Sequence, residues 1–129
     1  MKLTFKKEER LSSRKLIAAL YETGNPFNSK CFRVFWKFQP LSDKFPAQVL
    51  ISVPKRNFKH AVDRNRIKRL IREAYRKCKN NFYEVLNTKN KNIVFALSYS
   101  AKEELPYAEI ETKIIITLQR LQLELEKDS

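Results

Sequence analysis

Residues 61–79, AVDRNRIKRLIREAYRKCK, constrain the chain more than any other stretch, because two opposed patterns share one helical period. At the helical step, Ile67, Leu70, Ile71, Ala74, Tyr75 and Cys78 fall within an arc of about 140°. Asn65, Lys68, Arg69, Arg72 and Arg76 fall within an opposing arc of about 100°. A segment of this kind must be a helix lying with one side on an apolar layer and the other in water. Arg66 flanks the basic stripe, Arg64 sits toward its apolar edge, and Asp63 is the expected N-cap.

The apolar layer comes from three extended stretches. In CFRVFWKFQ, residues 31–39, Phe32, Val34, Trp36 and Phe38 alternate to one side, the expected core face. AQVLISV, residues 47–53, sends Val49, Ile51 and Val53 inward before Pro54 stops it, and NIVFALS, residues 92–98, reads as a buried strand. Two more helices complete the pattern. SSRKLIAALYET places Leu16, Ile17, Leu20 and Tyr21 on one face, with Ser12 or Ser13 as cap, Gly24 as a left-handed terminator and Pro26 blocking continuation. The last helix starts near Pro106 and buries Tyr107, Ile110, Ile114, Leu118, Leu121 and Leu125. The order is α-β-β-α-β-α, with room for an extra strand or hairpin near 40–47. That is an α+β two-layer sandwich with its helices on one face of a central sheet. With no repeat or linker, residues 1–129 read as a single domain.

Charge narrows the partner. The chain has 27 Lys or Arg against 14 Asp or Glu, a net of +13, so a polyanion is indicated, nucleic acid before membrane. The excess is local: from Pro54 to Lys79 eleven Lys or Arg face only Asp63 and Glu73, whereas from Ala101 onward acids outnumber bases. Solvated helices usually mix signs to gain i,i+4 pairs, and the like charges along 64/68/72/76 repel unless phosphates lie between them. No run reaches the length of a membrane span, and no apolar core follows the first lysines as in a secretory signal; a soluble, cytoplasmic protein is expected. Cys31 and Cys78 read as reduced core residues.

The non-core face of the first strand carries Phe35 between Arg33 and Lys37. That trio suits a stacking platform for unpaired bases with two cations for phosphates, or an aromatic covered by a third layer. Independent catalysis has little to work with. His60 is the one histidine and is expected at the surface, and Asp63 and Glu73 stand too far apart on a helix to share a metal. No catalytic or metal-ligating residue is expected in the chain. A general RNA- or DNA-binding module without processing activity is the alternative class, and a self-sufficient nuclease the third.

ISVPKRNFKHAVDRNRIKRLIREAYR resembles the signature of the bacterial ribonuclease P protein component, an Arg-Asn-Arg followed by a basic helix. FKKEERLSSRKLIAALYETG and NIVFALSYSAKEELPYAEIETKI resemble that family's opening and closing segments, so nearly the whole chain is covered in the family's order. The resemblance implies a left-handed β-α-β crossover. It also implies a non-catalytic subunit that assists a catalytic RNA, in the endoribonuclease holoenzyme that hydrolyses a phosphodiester in precursor tRNA and removes its 5′ leader. Mg²⁺ is then held mainly by the RNA, with one monomeric protein per RNA. By matching positions, Arg64, Asn65, Arg66, Lys68, Arg69 and Arg72 contact the catalytic RNA, and Arg76 extends that stripe. Ile17, Tyr21, Phe35, Ser52, Lys55 and Arg56 line the leader cleft, with Arg33 and Lys37 beside Phe35. Pro54 and Arg56 stand where many members have Ser-Lys-Lys, Leu50 replaces a common glycine, and Ser98 and Tyr99 lack a nearby basic residue often present. A cleft of altered shape or base preference is expected from these departures.

Overall fold

The computed structural model describes residues 4–42 and 44–127; the expected domain of residues 1–129 also includes 1–3, 43, 128 and 129, which lie outside that description. The elements are α1 (Arg14–Thr23), β1 (Asn25–Ser29), β2 (Phe32–Phe38), β3 (Ala47–Ser52), α2 (Ala61–Thr88), β4 (Ile93–Tyr99) and α3 (Tyr107–Lys127), preceded by a short 3₁₀ turn at Lys7–Glu9. The strands form one sheet in the order β1-β2-β4-β3. β2 pairs antiparallel with both β1 and β4, and β3 lies parallel to β4. Parallel neighbours need a crossover, and α2 provides it, giving the expected β-α-β unit.

The expected fourth strand exists but is β1, at 25–29, and not a hairpin near 40–47. Pro26, expected to block continuation of α1, lies beyond its end and is tolerated within β1 because that is an edge strand and a missing N–H can face away from the ladder. Gly24 also differs from expectation. It ends α1 in an extended conformation, φ −73° and ψ 165°, so no left-handed residue is involved. Glycine is needed there for space: its N–H donates to the Leu20 carbonyl at 2.8 Å, and a Cβ would collide with that same oxygen. Ser13 caps the other end, its Oγ accepting from Leu16 N at 3.2 Å.

α2 and α3 pack together over one face of the sheet, burying Ile67, Ile71, Ala74 and Tyr75 of the expected apolar arc on Val34, Trp36, Phe95 and Leu97. Phe95 sits between the rings of Tyr75 at 6.0 Å and Phe82 at 5.8 Å, which ties α2 to the strand beneath it. The apolar arc continues beyond Cys78 through Phe82, Tyr83 and Leu86, so α2 runs for 28 residues. Asn90, left-handed at φ 55°, ends it: Lys91 N donates to Leu86 O and Asn90 N to Asn87 O, the Schellman arrangement.

α1 does not join that layer. It lies across the opposite face, where Leu20 meets Val94 and Ala96, with Leu16, Ile17, Phe35 and Leu50 packed around them. The expectation of helices on one face therefore holds for α2 and α3 only. The reason is visible in β4, whose residues 93–97 are buried on both faces, so the sheet needs cover on each side.

Candidate nucleic-acid interface

Anchored by its apolar arc, α2 turns its basic stripe outward. Asn65, Arg69 and Arg72 are exposed and Lys68 is half-buried. Among the described residues Lys68, Arg69 and Arg72 form no ion pair with a carboxylate. The other cations of the stripe are engaged within the chain. Arg64 Nη1 donates to the carbonyls of Phe58 and Lys59 at 2.7 and 2.8 Å, fastening the chain as it enters the helix. Arg66 Nη1 donates to both carboxylate oxygens of Glu104 at 2.9 and 3.1 Å and lies 3.4 Å from Asp63. Arg76 Nε donates to Glu73 at 3.1 Å, and this hydrogen bond raises the Arg76 pKa and lowers that of Glu73.

Asp63 is not the N-cap. His60 holds that position without a side-chain cap bond, its carbonyl accepting from Asp63 N and Arg64 N. Asp63 falls in the first turn, where a carboxylate complements the positive end of the helix dipole.

Arg10 was missed in the sequence. The N-terminal segment lies along the open edge of β3, with Leu11 N donating to Val49 O at 2.9 Å and Arg10 bridging Val49 in parallel. Arg10 and Arg72 then line one groove of about 200 Å³ with Phe5, Ser12 and Ile51. The Arg72 pKa is lowered, first by burial and then by the Arg10 charge. Two guanidiniums with no acid between them form a ready anion position. Its signal in the sequence was only the excess of bases in residues 5–10, which say nothing about which strand edge they meet.

On the α1 side, strand register aligns two cross-strand rows. Phe35, Ala96 and Leu50 form the row that α1 covers. Arg33, Ser98 and Ser52 form the next row, all half-buried and outside that apolar cluster. The Phe35 ring is half-covered: Tyr21 of α1 meets it edge-on at 4.9 Å, and the Arg33 guanidinium lies 5.1 Å from its centroid. Of the two alternatives for Phe35, the covering layer is present in part, since α1 packs against the ring and the residue remains half-buried. Tyr21 is 42% exposed and is the more open ring. Ile17 is half-buried on α1, and Arg33 also donates to Asn28 Oδ1 at 3.2 Å. Lys37 is tied to the end of α1, donating to Thr23 Oγ1 at 2.9 Å. Lys55 and Arg56 are exposed in the turn that leaves β3 for α2.

The two cysteines differ in burial, Cys31 being buried and Cys78 partly so, and both are free thiols. Burial pushes the Cys31 thiol up to about 11, so it stays protonated near neutral pH. No cluster of three or more His, Cys, Asp or Glu able to hold a metal occurs among the described residues. Asp63 and Glu73, separated by nearly three turns, are each committed to an arginine, so these residues do not fit a Mg²⁺ site. No helix among the described residues is long and apolar enough to cross a membrane.

Comparison with known proteins gives a consistent result. The ribonuclease P protein component of Chlorobium phaeobacteroides is 40% identical over 83 residues, which are 62% of this chain and 57% of that protein. That of Porphyromonas gingivalis is 39% identical over 80 residues, 62% of this chain and 58% of its own length. The chain thus matches somewhat less than three fifths of the length of these relatives. The solved Thermotoga maritima ribonuclease P protein superposes with a TM-score of 0.67 at 21% identity, covering 87% of this chain and 96% of that one. The Staphylococcus aureus protein gives 0.65 at 23%, with 88% and 94% covered. At those identities the likeness carries the fold. The family described as Ribonuclease P matches residues 5–122, nearly the full length, and the chain belongs to that family.

Proposed function

We propose that this chain is the protein subunit of ribonuclease P and that it works by bridging two polyanions. The outward face of α2 binds the catalytic RNA through Asn65, Lys68, Arg69 and Arg72, with Arg64, Arg66 and Arg76 at its margins. The strip beside α1, lined by Ile17, Tyr21, Arg33, Phe35, Lys37 and Ser52 and leading to Lys55 and Arg56, takes the single-stranded 5′ leader of precursor tRNA. The observation that carries this reading is the pair Arg69 and Arg72, held outward by a buried helix face and free of carboxylate partners among the described residues.

The chemistry follows from charge. RNA brought against RNA is repelled, and a protein with +13 net charge offsets that repulsion while releasing counterions. Mg²⁺ belongs to the RNA in this scheme, since the described residues offer it no site, and the chain contributes binding and orientation to leader removal. One protein acts per RNA. The test is reconstitution with a bacterial ribonuclease P RNA and a 5′-extended precursor tRNA at low Mg²⁺. The protein alone is expected to cut nothing and the mixture to release the leader faster than RNA alone. Equal rates with and without protein at near-physiological salt would reject the proposal.

Phe35 supplies a narrower test. Stacking on an aromatic ring contributes about 1–3 kcal/mol per base. Phe35→Ala is therefore expected to weaken binding of leader-bearing substrate by about ten- to a hundredfold while sparing leaderless tRNA. Binding isotherms for the two RNAs decide it, and equal losses for both would remove the stacking role.

A further inference from the structure

Lys79 is counted among the bases of the RNA-facing stretch, yet it does not face RNA. It is 3% exposed and Glu9, which it meets, is fully buried. Lys79 Nζ donates to Glu9 Oε1 and to the Thr4 carbonyl. Tyr83 Oη donates to the same carboxylate oxygen at 2.8 Å, Tyr75 Oη donates to Tyr83 Oη at 3.0 Å, and Lys6 N donates to Glu9 Oε2 at 2.7 Å. The rings of Tyr83, Phe45 and Phe5 lie 5.2, 5.8 and 5.9 Å from the ammonium. This network joins the middle of α2 to a segment about seventy residues earlier, and no part of the proposed RNA contact uses it.

A buried ion pair is a weak source of stability compared with apolar residues of similar size, but it tolerates few alternative arrangements. The N-terminal segment has need of such a constraint. It meets β3 through one bridge and one backbone hydrogen bond, too little ladder to set its register. A slip of one residue in one direction would bring Arg10 against the Lys79 ammonium, which is repulsive, and in the other would put Glu8 in the place of Glu9 but Arg10 in the buried place of Leu11. With Glu9 in place, Leu11 is buried under α1, and Arg10 is left over the Phe5 ring at 5.3 Å, in the groove it shares with Arg72.

We propose that Glu9 and Lys79 are positioning residues for RNA binding: their buried pair latches residues 4–12 to the edge of β3 in one register and thereby sets Arg10 beside Arg72. The latch rests on the reading of α2 as an RNA-binding face.

The experiment uses the full chain with a refolded bacterial ribonuclease P RNA transcript, measuring affinity across a salt series and hydrogen exchange at the Leu11 amide. Glu9→Leu alone leaves an unpaired buried ammonium and endangers the fold, so the informative variant is Glu9→Leu with Lys79→Leu. It is expected to stay folded while Leu11 exchange speeds at least about tenfold. RNA affinity is expected to fall about three- to tenfold near 0.1 M salt, and the salt slope by about 0.7–0.9, one phosphate contact. Arg10→Ala is expected to give the same loss in RNA affinity, and adding it to the double variant to cost nothing more. Faster Leu11 exchange with unchanged affinity and slope would overturn the latch, as would lost affinity with Leu11 still protected. If Arg10→Ala and Arg69→Ala/Arg72→Ala all left RNA binding intact, the RNA-binding reading would fall, and the latch with it.

Discussion

Changing Arg69 and Arg72 together to Ala is expected to weaken binding of ribonuclease P RNA about ten- to a hundredfold near 0.1 M salt, roughly 1.4–2.8 kcal/mol. Each phosphate neutralised contributes about 0.7–0.9 to the slope of log affinity on log salt, so the slope should fall by about 1.4–1.8. Both side chains are exposed and pair with no carboxylate among the described residues, so thermal stability should move by no more than about 0.5 kcal/mol. Affinity and stability are thus expected to separate. A salt series on the double variant beside a thermal melt checks it, and an unchanged slope would mean that the stripe meets no phosphate. Arg66→Ala should behave differently, because it frees Glu104 and Asp63 from a shared cation and changes the local charge balance as well as the surface.

Phe95→Ala is expected to produce the largest loss of stability, about 3–5 kcal/mol, because it empties a fully buried site at the centre of the core. For a chain of this size the melting temperature should fall by about 10–20 °C. The consequence is functional as well as structural. Phe95 fills the space between Tyr75 and Phe82, the residues by which α2 rests on the sheet. RNA affinity measured well below the melting transition should change little, whereas affinity near 37 °C should fall with the folded fraction. A thermal melt paired with binding at two temperatures distinguishes this from a direct contact. A melting temperature within a few degrees of the parent would show that neighbouring rings collapse into the space.

The amphipathic character of α2 was legible because it depends on a period and on nothing distant. Ile67, Ile71 and Tyr75 recur at the spacing that a helix buries, and Arg69 and Arg72 lie opposite. The alternation in β2 was legible for the same reason: Phe32, Val34 and Trp36 went inward as the strand period requires. Lys79 entered the sequence reading only in the count of local charge and was given no side of the helix, although it stands four residues after Tyr75, on the buried side. Position on the apolar arc was the better guide, but only a carboxylate from elsewhere makes that position tolerable. Gly24 shows a similar limit, since a helix-ending glycine suggests a left-handed residue, while the actual requirement is room beside the Leu20 carbonyl.

What the sequence determined by itself was local and periodic: three helices, the strand faces, the concentration of positive charge on one element, and a motif specific enough to indicate the family. What only the tertiary structure decided was which distant groups meet. It placed α1 on the opposite face of the sheet, set Arg10 beside Arg72 at the β3 edge, and drew Glu9 in to neutralise Lys79. Those outcomes depend on loop closure and on the pairing of charges across about seventy residues, for which no repeat in the chain carries a signal.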